Sequence, residues 1–364
     1  MDITFDKNVT CLCKGIAICL MIYYHLFGAT DASMFHVVLP PVFGILGPYG
    51  NVCVMFFVLL TGYGFGLRNL HRQETYPRRI VPRLFKLYQG YLPAFLIGFL
   101  GSLLLSQGKA DPITVYGRAP LGFLWHLLLN LLGLSHLVYG DGLYTLNQTW
   151  WYMSLAVFLI LILPLLCRLY KHWGWGCFLI TIVFSILPAE IRFLDYLRYL
   201  PGAGLGLCLA GSDGFVQVAR RSRSPLGIFL HFPALFFCLL LWYRMRQAGI
   251  NPQMADLLAA YAGCQFAFDV LRPIPVLSRC LTFLGEHSGN LFYLHSFIYS
   301  YWILSSQFVF RFRYDLLIFL VTLLLTLGLS SALNALKRGT GYDRLFARTE
   351  KRILSALPPP LVNG

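Results

Sequence analysis

The chain has 364 residues, of which 57% are hydrophobic and 12% charged, and its formal net charge is +14. With a mean hydropathy of +0.65, that balance excludes a mainly soluble protein and describes an all-α, polytopic membrane helix bundle. The basic excess lies at the ends of apolar runs rather than on a polar domain, so it marks sidedness and no nucleic-acid partner is expected.

A bilayer core takes roughly 20 apolar residues per helix. In chain order the predicted spans lie near 10–28, 50–67, 85–106, 151–168, 175–189, 198–212, 226–243, 254–271, 281–303 and 314–334. Asp2 and Asp6 accompany Lys7 and Lys14, and no small-residue cleavage site follows the first run, so that span is expected to remain in place. With the N-terminus inside, most basic residues fall on the inner side. They include Arg68, Arg72, Arg78, Arg79, Arg83 and Lys86, then Arg220, Arg221 and Arg223, and finally Lys337, Arg338, Arg344, Arg348, Lys351 and Arg352. Lys109, Arg118, Arg192, Arg198, Arg244, Arg246, Arg311 and Arg313 fall outside. This asymmetry predicts about ten spans with both termini cytoplasmic. The count treats PLGFLWHLLLNLLGLSHLVY, residues 120–139, as an outer-face re-entrant or interfacial helix; as a full span it would turn the basic cluster at Arg220 to Arg223 outward.

No internal repeat is evident, and the organisation expected is a transmembrane domain over 1–340 followed by a short cytoplasmic tail over 341–364. The 10 cysteines sit mostly in or beside apolar runs. They form no paired CxxC pattern, so they read as reduced packing residues, with no metal.

Four polar constellations interrupt this apolar background. In KGIAICLMIYYHLF, Lys14 and His25 are eleven residues apart, which places them on one helix face with a rise of about 16 Å. An ionisable group at that depth is either tolerated, through a neighbouring carbonyl, or used. In YPRRIVPRLFK, Arg79 and Arg83 are one turn apart, Lys86 continues their face and Arg78 adjoins them. This cluster either anchors the third span or binds a phosphorylated donor, since guanidinium geometry suits phosphate oxygens. FLGEHSGNLFYLHSF is a polar start to the ninth span. Ser288 and His295 share a face there, beside Glu286, His287 and Asn290, as groups turned to a bundle interior or aqueous cavity do. NQTWWYMS carries Asn147, Gln148 and Trp151 at the outer end of the fourth span. The tryptophans suit an interfacial aromatic belt, and the amides could touch an acceptor.

Together these segments resemble the acyltransferase-3 family of membrane proteins over about residues 10–335. KGIAICLMIYYHLF is similar to its first-span motif of a basic residue, ten residues, then histidine. NVCVMFFVLLTGYGFGLRN is similar to its FFVLSGY signature, with Thr61 in the serine position. RRIVPRLFKLY is similar to its arginine motif, and LGEHSGNLFYLH to its LGxxSxxIYLxH signature. Lys14 stands where arginine is commoner, the arginines are spaced RxxxR rather than RxxR, and Ala156 stands near a position where many members carry glutamate.

The resemblance implies O-acylation of a carbohydrate, a bacterial polysaccharide or lipid-linked glycan of the cell envelope, by a multi-pass protein of the cytoplasmic membrane. It implies acetyl-CoA as the acyl donor, His25 as the catalytic histidine, Lys14 as its basic partner, and Arg79 and Arg83 as the donor-binding pair with Arg78 and Lys86 beside them. Ser288, His295, Glu286, Asn147 and Trp151 are secondary candidates for orienting His25 or the acceptor. The chemistry requires a base for the hydroxyl proton and stabilisation of the tetrahedral oxyanion. The alternative is a multi-pass transporter or exporter of a small anion or glycan, for which inverted repeats and paired broken helices would be expected.

Overall fold

The computed structural model describes residues 4–29, 37–38, 47–72, 74–105, 111–140, 143–187, 195–222 and 225–358, without the side chains of 47–48 and 225–229. Lys109, Arg192 and Arg223 of the basic count lie outside these residues. Among the described residues the chain is all-helical, apart from one isolated bridge between Val38 and Tyr314. The helices, in order, are α1 Lys7–Phe27, α2 Cys53–Asn69, α3 Tyr76–Leu105, α4 Pro112–Tyr116, α5 Pro120–Leu131, α6 Ser135–Tyr139, α7 Trp151–Trp173 and α8 Gly176–Ser185. They continue as α9 Leu200–Gly211, α10 Gly214–Arg221, α11 Pro225–Gln247, α12 Pro252–Phe266, α13 Pro275–Ser296, α14 Ile303–Phe310, α15 Asp315–Gly339 and α16 Tyr342–Ala356.

Among the described residues, six segments are long and apolar enough to cross a membrane: Lys7–Phe27, Tyr49–Asn69, Tyr76–Leu105, Gln148–Trp173, Pro252–Leu271 and Asp315–Gly339. The other expected spans fall on α8, α9, α11 and α13. Of these α8 and α9 have only 10 and 12 residues, which at 1.5 Å per residue is about half a bilayer core. The apolar run at 120–139 is broken. Its helices α5 and α6 have 12 and 5 residues, and Gly133 turns between them at φ +68°. Neither is long enough to cross alone.

Proline does not end α3, although Pro82 and Pro93 both lie inside it; surrounding helices re-satisfy the freed carbonyls in such settings. Two helices loosen into π turns, α12 into Ala267–Leu271 and α13 into Phe297–Tyr301. Turns of this kind recur at functional positions.

The chain divides into two compact units, one of Met1–Met21, Asn51–Gln73 and Ile162–Ser288, the other of Ile22–Gly50, Glu74–Leu161 and Gly289–Gly364. The first is built on backbone contact. A Cβ on Gly62 of α2 would overlap the carbonyl of Ala203 on α9, and one on Gly206 would overlap that of Leu59. In the same way Gly15 of α1 lies against the Leu281 carbonyl, and Gly285 of α13 against that of Cys11. Small residues give membrane helices this close approach, where lipid offers no hydrophobic drive of its own. Several polar groups here meet one another. Trp242 Nε1 donates to Asp256 Oδ1 at 3.0 Å and Arg246 lies 3.8 Å from the same carboxylate. His231 Nε2 is 2.9 Å from Asp269 Oδ2, which also accepts from Gln265.

The second unit is organised along α3. Gly98 meets the Phe297 ring and Gly101 the Trp302 ring, so large aromatics fill the notches that glycine leaves. Nearer its start, α3 receives the C-terminal helix. Phe85 and Phe346 are edge to face, Gln89 donates to Asp343 at 2.9 Å, and the Arg78 guanidinium donates to the carbonyls of Leu357 and Pro358 at 2.9 and 2.6 Å. Residues 342–356 are therefore a docked amphipathic helix within the stretch expected as a tail.

Candidate active site

His25 stands in the last turn of α1, in the second unit. Its neighbour on the chain, Tyr24, is tilted against it, while Tyr23 donates its hydroxyl to Asp315 Oδ2 at 2.8 Å. Asp315 is buried at the first turn of α15, where a helix N-terminus favours a negative charge. That bond ties the end of α1 to α15 and so sets the rotation of the histidine two residues on. The carboxylate goes to the phenol, and the partner of His25 is another histidine.

His295, from the last turn of α13, is fully buried, and its Nε2 lies 2.9 Å from Nδ1 of His25, with the ring planes 27° apart. Its own Nδ1 is 2.9 Å from the Phe292 carbonyl and 3.1 Å from that of Leu291. Carbonyl oxygens only accept, so the proton of His295 is on Nδ1 and its Nε2 carries the lone pair. That nitrogen then accepts the Nδ1 proton of His25, and the lone pair of a neutral His25 is left on its Nε2. The chain from carbonyl to His295 to His25 fixes which nitrogen is basic, the task a carboxylate performs in a serine hydrolase triad.

The turn that carries His295 is itself held. Asn147, fully buried, donates its Nδ2 to Ser296 Oγ at 2.6 Å and to the Tyr293 carbonyl at 3.4 Å. Its Oδ1 accepts from the backbone N–H and the hydroxyl of Thr149 at 3.0 and 2.8 Å, capping the turn that leads into α7. Trp150 Nε1 adds a bond to the Tyr293 carbonyl at 3.1 Å. Asn147 thus orients the histidine helix with every polar atom of its side chain occupied. The fourth constellation reaches the site as framework through Asn147 and Trp150; Trp151 is half-buried beside His136, with ring centroids 5.9 Å apart.

Tyr91 of α3 links these layers. Its ring packs on those of Trp150 and Tyr293 at 5.1 and 5.5 Å, and its hydroxyl donates to the Asn130 carbonyl at 2.5 Å. Tyr116 donates to Asn130 Oδ1 at 2.6 Å, and Asn130 donates to Thr145 Oγ1 at 3.0 Å. Tyr91, Asn130, Tyr293 and Ser296 were not singled out in the sequence; each is a common residue in an apolar run, and only packing against distant helices distinguishes it.

The remaining candidates are placed as follows. Lys14 is half-buried on the same helix as His25, in the first unit, next to the Gly15 contact. Arg79 is buried and donates Nε to the Glu74 carbonyl at 3.0 Å, Arg83 is half-buried one turn on, and Lys86 is exposed. Arg78 holds the chain at 357–358, as described. From Arg83 to Tyr91 is eight residues of α3, a rise of about 12 Å. Ser288 is buried and Glu286 exposed on the first-unit part of α13, and Asn290 donates to Ser330 and Asn334 of α15. Among the described residues, no group of His, Cys, Asp and Glu is disposed to hold a metal.

No curated protein and no solved structure matches the chain. A family model described as an acyltransferase domain, Acyl_transf_3, matches residues 12–335 and so takes in Lys14 and His25 of α1, the arginine cluster and the histidine turn of α13, and by that match this membrane-helical chain belongs to the acyltransferase-3 family.

Proposed function

We propose that the chain is a membrane O-acyltransferase that moves an acyl group, acetyl, from acyl-CoA at the cytoplasmic face to a hydroxyl of an extracytoplasmic carbohydrate of the bacterial envelope. It would do so from the cytoplasmic membrane, in about ten spans with both termini inside. The observation that carries the reading is the His25–His295 pair, because a histidine held in one tautomer by a second, carbonyl-anchored histidine is arranged to take a proton at Nε2.

His25 Nε2 accepts the proton of the acceptor hydroxyl as its oxygen attacks the thioester carbonyl. When the tetrahedral adduct collapses and the C–S bond breaks, the imidazolium returns that proton to the departing thiolate. The products are the sugar ester and the CoA thiol. His295 keeps its Nε2 lone pair on the Nδ1 proton of His25 throughout, which stabilises the imidazolium. Arg79, Arg83 and Lys86 occupy the first turns of α3 and would hold the donor phosphates as guanidinium and ammonium groups do. The pantetheine arm would cover the rise along α3 toward the Tyr91 layer, and Lys14, eleven residues before His25 on α1, would be the basic partner of that histidine.

The test supplies labelled acetyl-CoA to membrane vesicles carrying wild type, His25→Ala, His295→Ala or Arg83→Ala, with envelope glycan from the source cells as acceptor. Label is expected in glycan for wild type, to be lost for His25→Ala, and to need more acetyl-CoA for Arg83→Ala. Equal labelling by all four would remove His25 and Arg83 from the mechanism.

A further inference from the structure

The segment YDRLFARTEKRILSA, which forms α16, carries Arg344, Arg348, Lys351 and Arg352 against two acids, Asp343 and Glu350. At 100° per residue the four basic side chains fall within a sector of about 100°, and all four are exposed. Both acids lie outside that sector and are half-buried, on the side that docks to α3. There Asp343 accepts from Gln89 at 2.9 Å, the Lys337 ammonium of α15 lies 3.5 Å from it, and Phe346 packs on Phe85. The acids are thus kept on the docked side, and the face turned away is uniformly basic. Between the two runs a third strip, where Leu345 and Ile353 are 63% and 39% exposed. The helix therefore presents an apolar edge beside a basic one, and neither is covered by the protein.

The position of α16 selects its partner. α15, long and apolar enough to cross a membrane, ends at Gly339, and only Thr340 and Gly341 separate it from α16. Thr340 bonds back to the Leu336 carbonyl through both its N–H and its hydroxyl, and Gly341 turns the chain at φ +70°. Two residues reach at most about 7 Å, so α16 begins at the level of the lipid headgroups where α15 ends. Arg338, exposed in the last turn of α15, adds to the positive charge at that level. A helix there with an apolar strip beside a basic one has the form that lies in the interface, its apolar side chains among the acyl chains and its cations at anionic headgroups.

We propose that α16 is an interfacial helix that binds the anionic phospholipid headgroups of the leaflet at which α15 ends, with Leu345 and Ile353 inserted and Arg344, Arg348, Lys351 and Arg352 on the lipid phosphates. The assignment does not depend on the acyltransferase reading above. Through Phe346 and Asp343, which pack on Phe85 and Gln89, the headgroups would also brace the part of α3 that carries Arg79 and Arg83.

The test places the full-length protein in nanodiscs of phosphatidylcholine alone or with about 30% phosphatidylglycerol, and follows amide hydrogen exchange of residues 342–356. In wild type, phosphatidylglycerol is expected to slow that exchange by about tenfold or more, and about 0.5 M KCl to reverse the slowing by screening. The combined change Arg344→Gln, Arg348→Gln, Lys351→Gln and Arg352→Gln should abolish the slowing, and Leu345→Gln should reduce it, while exchange in α15 stays as in wild type. The lipid comparison itself needs no substitution, so it stands even if a variant misfolds. Equal exchange in the two lipids, or slowing that survives the four substitutions, would overturn the proposal. So would equal slowing by free inorganic phosphate in phosphatidylcholine, which would make the ligand a soluble anion, or slowing in native membranes only, which would make it a protein.

Discussion

The helices α1 and α13 meet in two different ways. In the first unit Gly15 and Gly285 bring backbone against backbone, at Leu281 and Cys11; in the second unit His25 and His295 meet ring to ring at 2.9 Å. The glycine contact tolerates no side chain. The histidine contact is polar, directional and anchored by carbonyls, and it is costly unless every proton is placed. One pair of helices thus shows a membrane protein separating its two tasks: close packing positions the helices, and a few satisfied polar groups use that position.

Breaking the histidine contact should have the largest effect. His25→Ala should lower acyl transfer by about 10²–10⁴-fold, the usual contribution of a positioned base, measured as initial rates of label transfer at saturating acetyl-CoA. His295→Phe fills the space but offers no lone pair to His25, so kcat should fall by about ten- to a hundredfold with the KM for acetyl-CoA unchanged. A KM change without a kcat change would assign His295 to binding instead.

The glycine contact should answer in stability rather than rate. Gly285→Val places branched carbon on the Cys11 carbonyl, and overpacking of this kind costs about 1–3 kcal/mol. A lowered unfolding midpoint in detergent is expected, while the folded fraction keeps the wild-type KM for acetyl-CoA. An unshifted midpoint would mean that the two helices separate easily.

Asn147→Ala bridges the two kinds of effect. It strips the cap from Thr149 and the donor from Ser296, and buried groups left unpaired cost about 1–3 kcal/mol. Both the midpoint and kcat should drop, and loss of kcat alone would argue for direct substrate contact. The smallest effect is expected at Arg78, whose bond to Pro358 is exposed and whose bond to Leu357 is part-buried. Arg78→Ala should change stability by less than about 1 kcal/mol and make the C-terminal helix easier to clip by protease. The KM for acetyl-CoA should stay within twofold of wild type, in contrast to Arg83→Ala; equal KM rises would return Arg78 to the donor site.

Much of the fold was legible because apolar runs of membrane length are a local property. The six long segments coincide with expected spans, and the polar constellations at 14–25, 76–86 and 283–297 each fall on a helix. The lengths of the shorter helices were less legible. The runs near 175–189 and 198–212 form helices of 10 and 12 residues, with Gly202, Gly204 and Gly206 closely packed in α9, and hydropathy by itself does not show how helices of that length are terminated or packed. For Arg78, charge and spacing suggested a phosphate ligand, and nothing in the sequence pointed to its carbonyl partners at 357–358, about 280 residues away in the chain.

By itself the sequence determined that the chain is helical and built for a membrane, that it carries the motifs of an acyltransferase-3 protein, and that Lys14 and His25 share a helix face. These follow from composition and from the 3.6-residue period, which act within single helices. Only the tertiary structure decided that His25 is paired with His295, which of its nitrogens is basic, and that Asn147 is wholly internal. Those outcomes depend on how each helix is rotated against the next. In a chain whose lipid-facing and core-facing residues are equally apolar, small residues and hydrogen bonds between distant segments set that rotation, and a linear pattern of hydrophobicity does not record it.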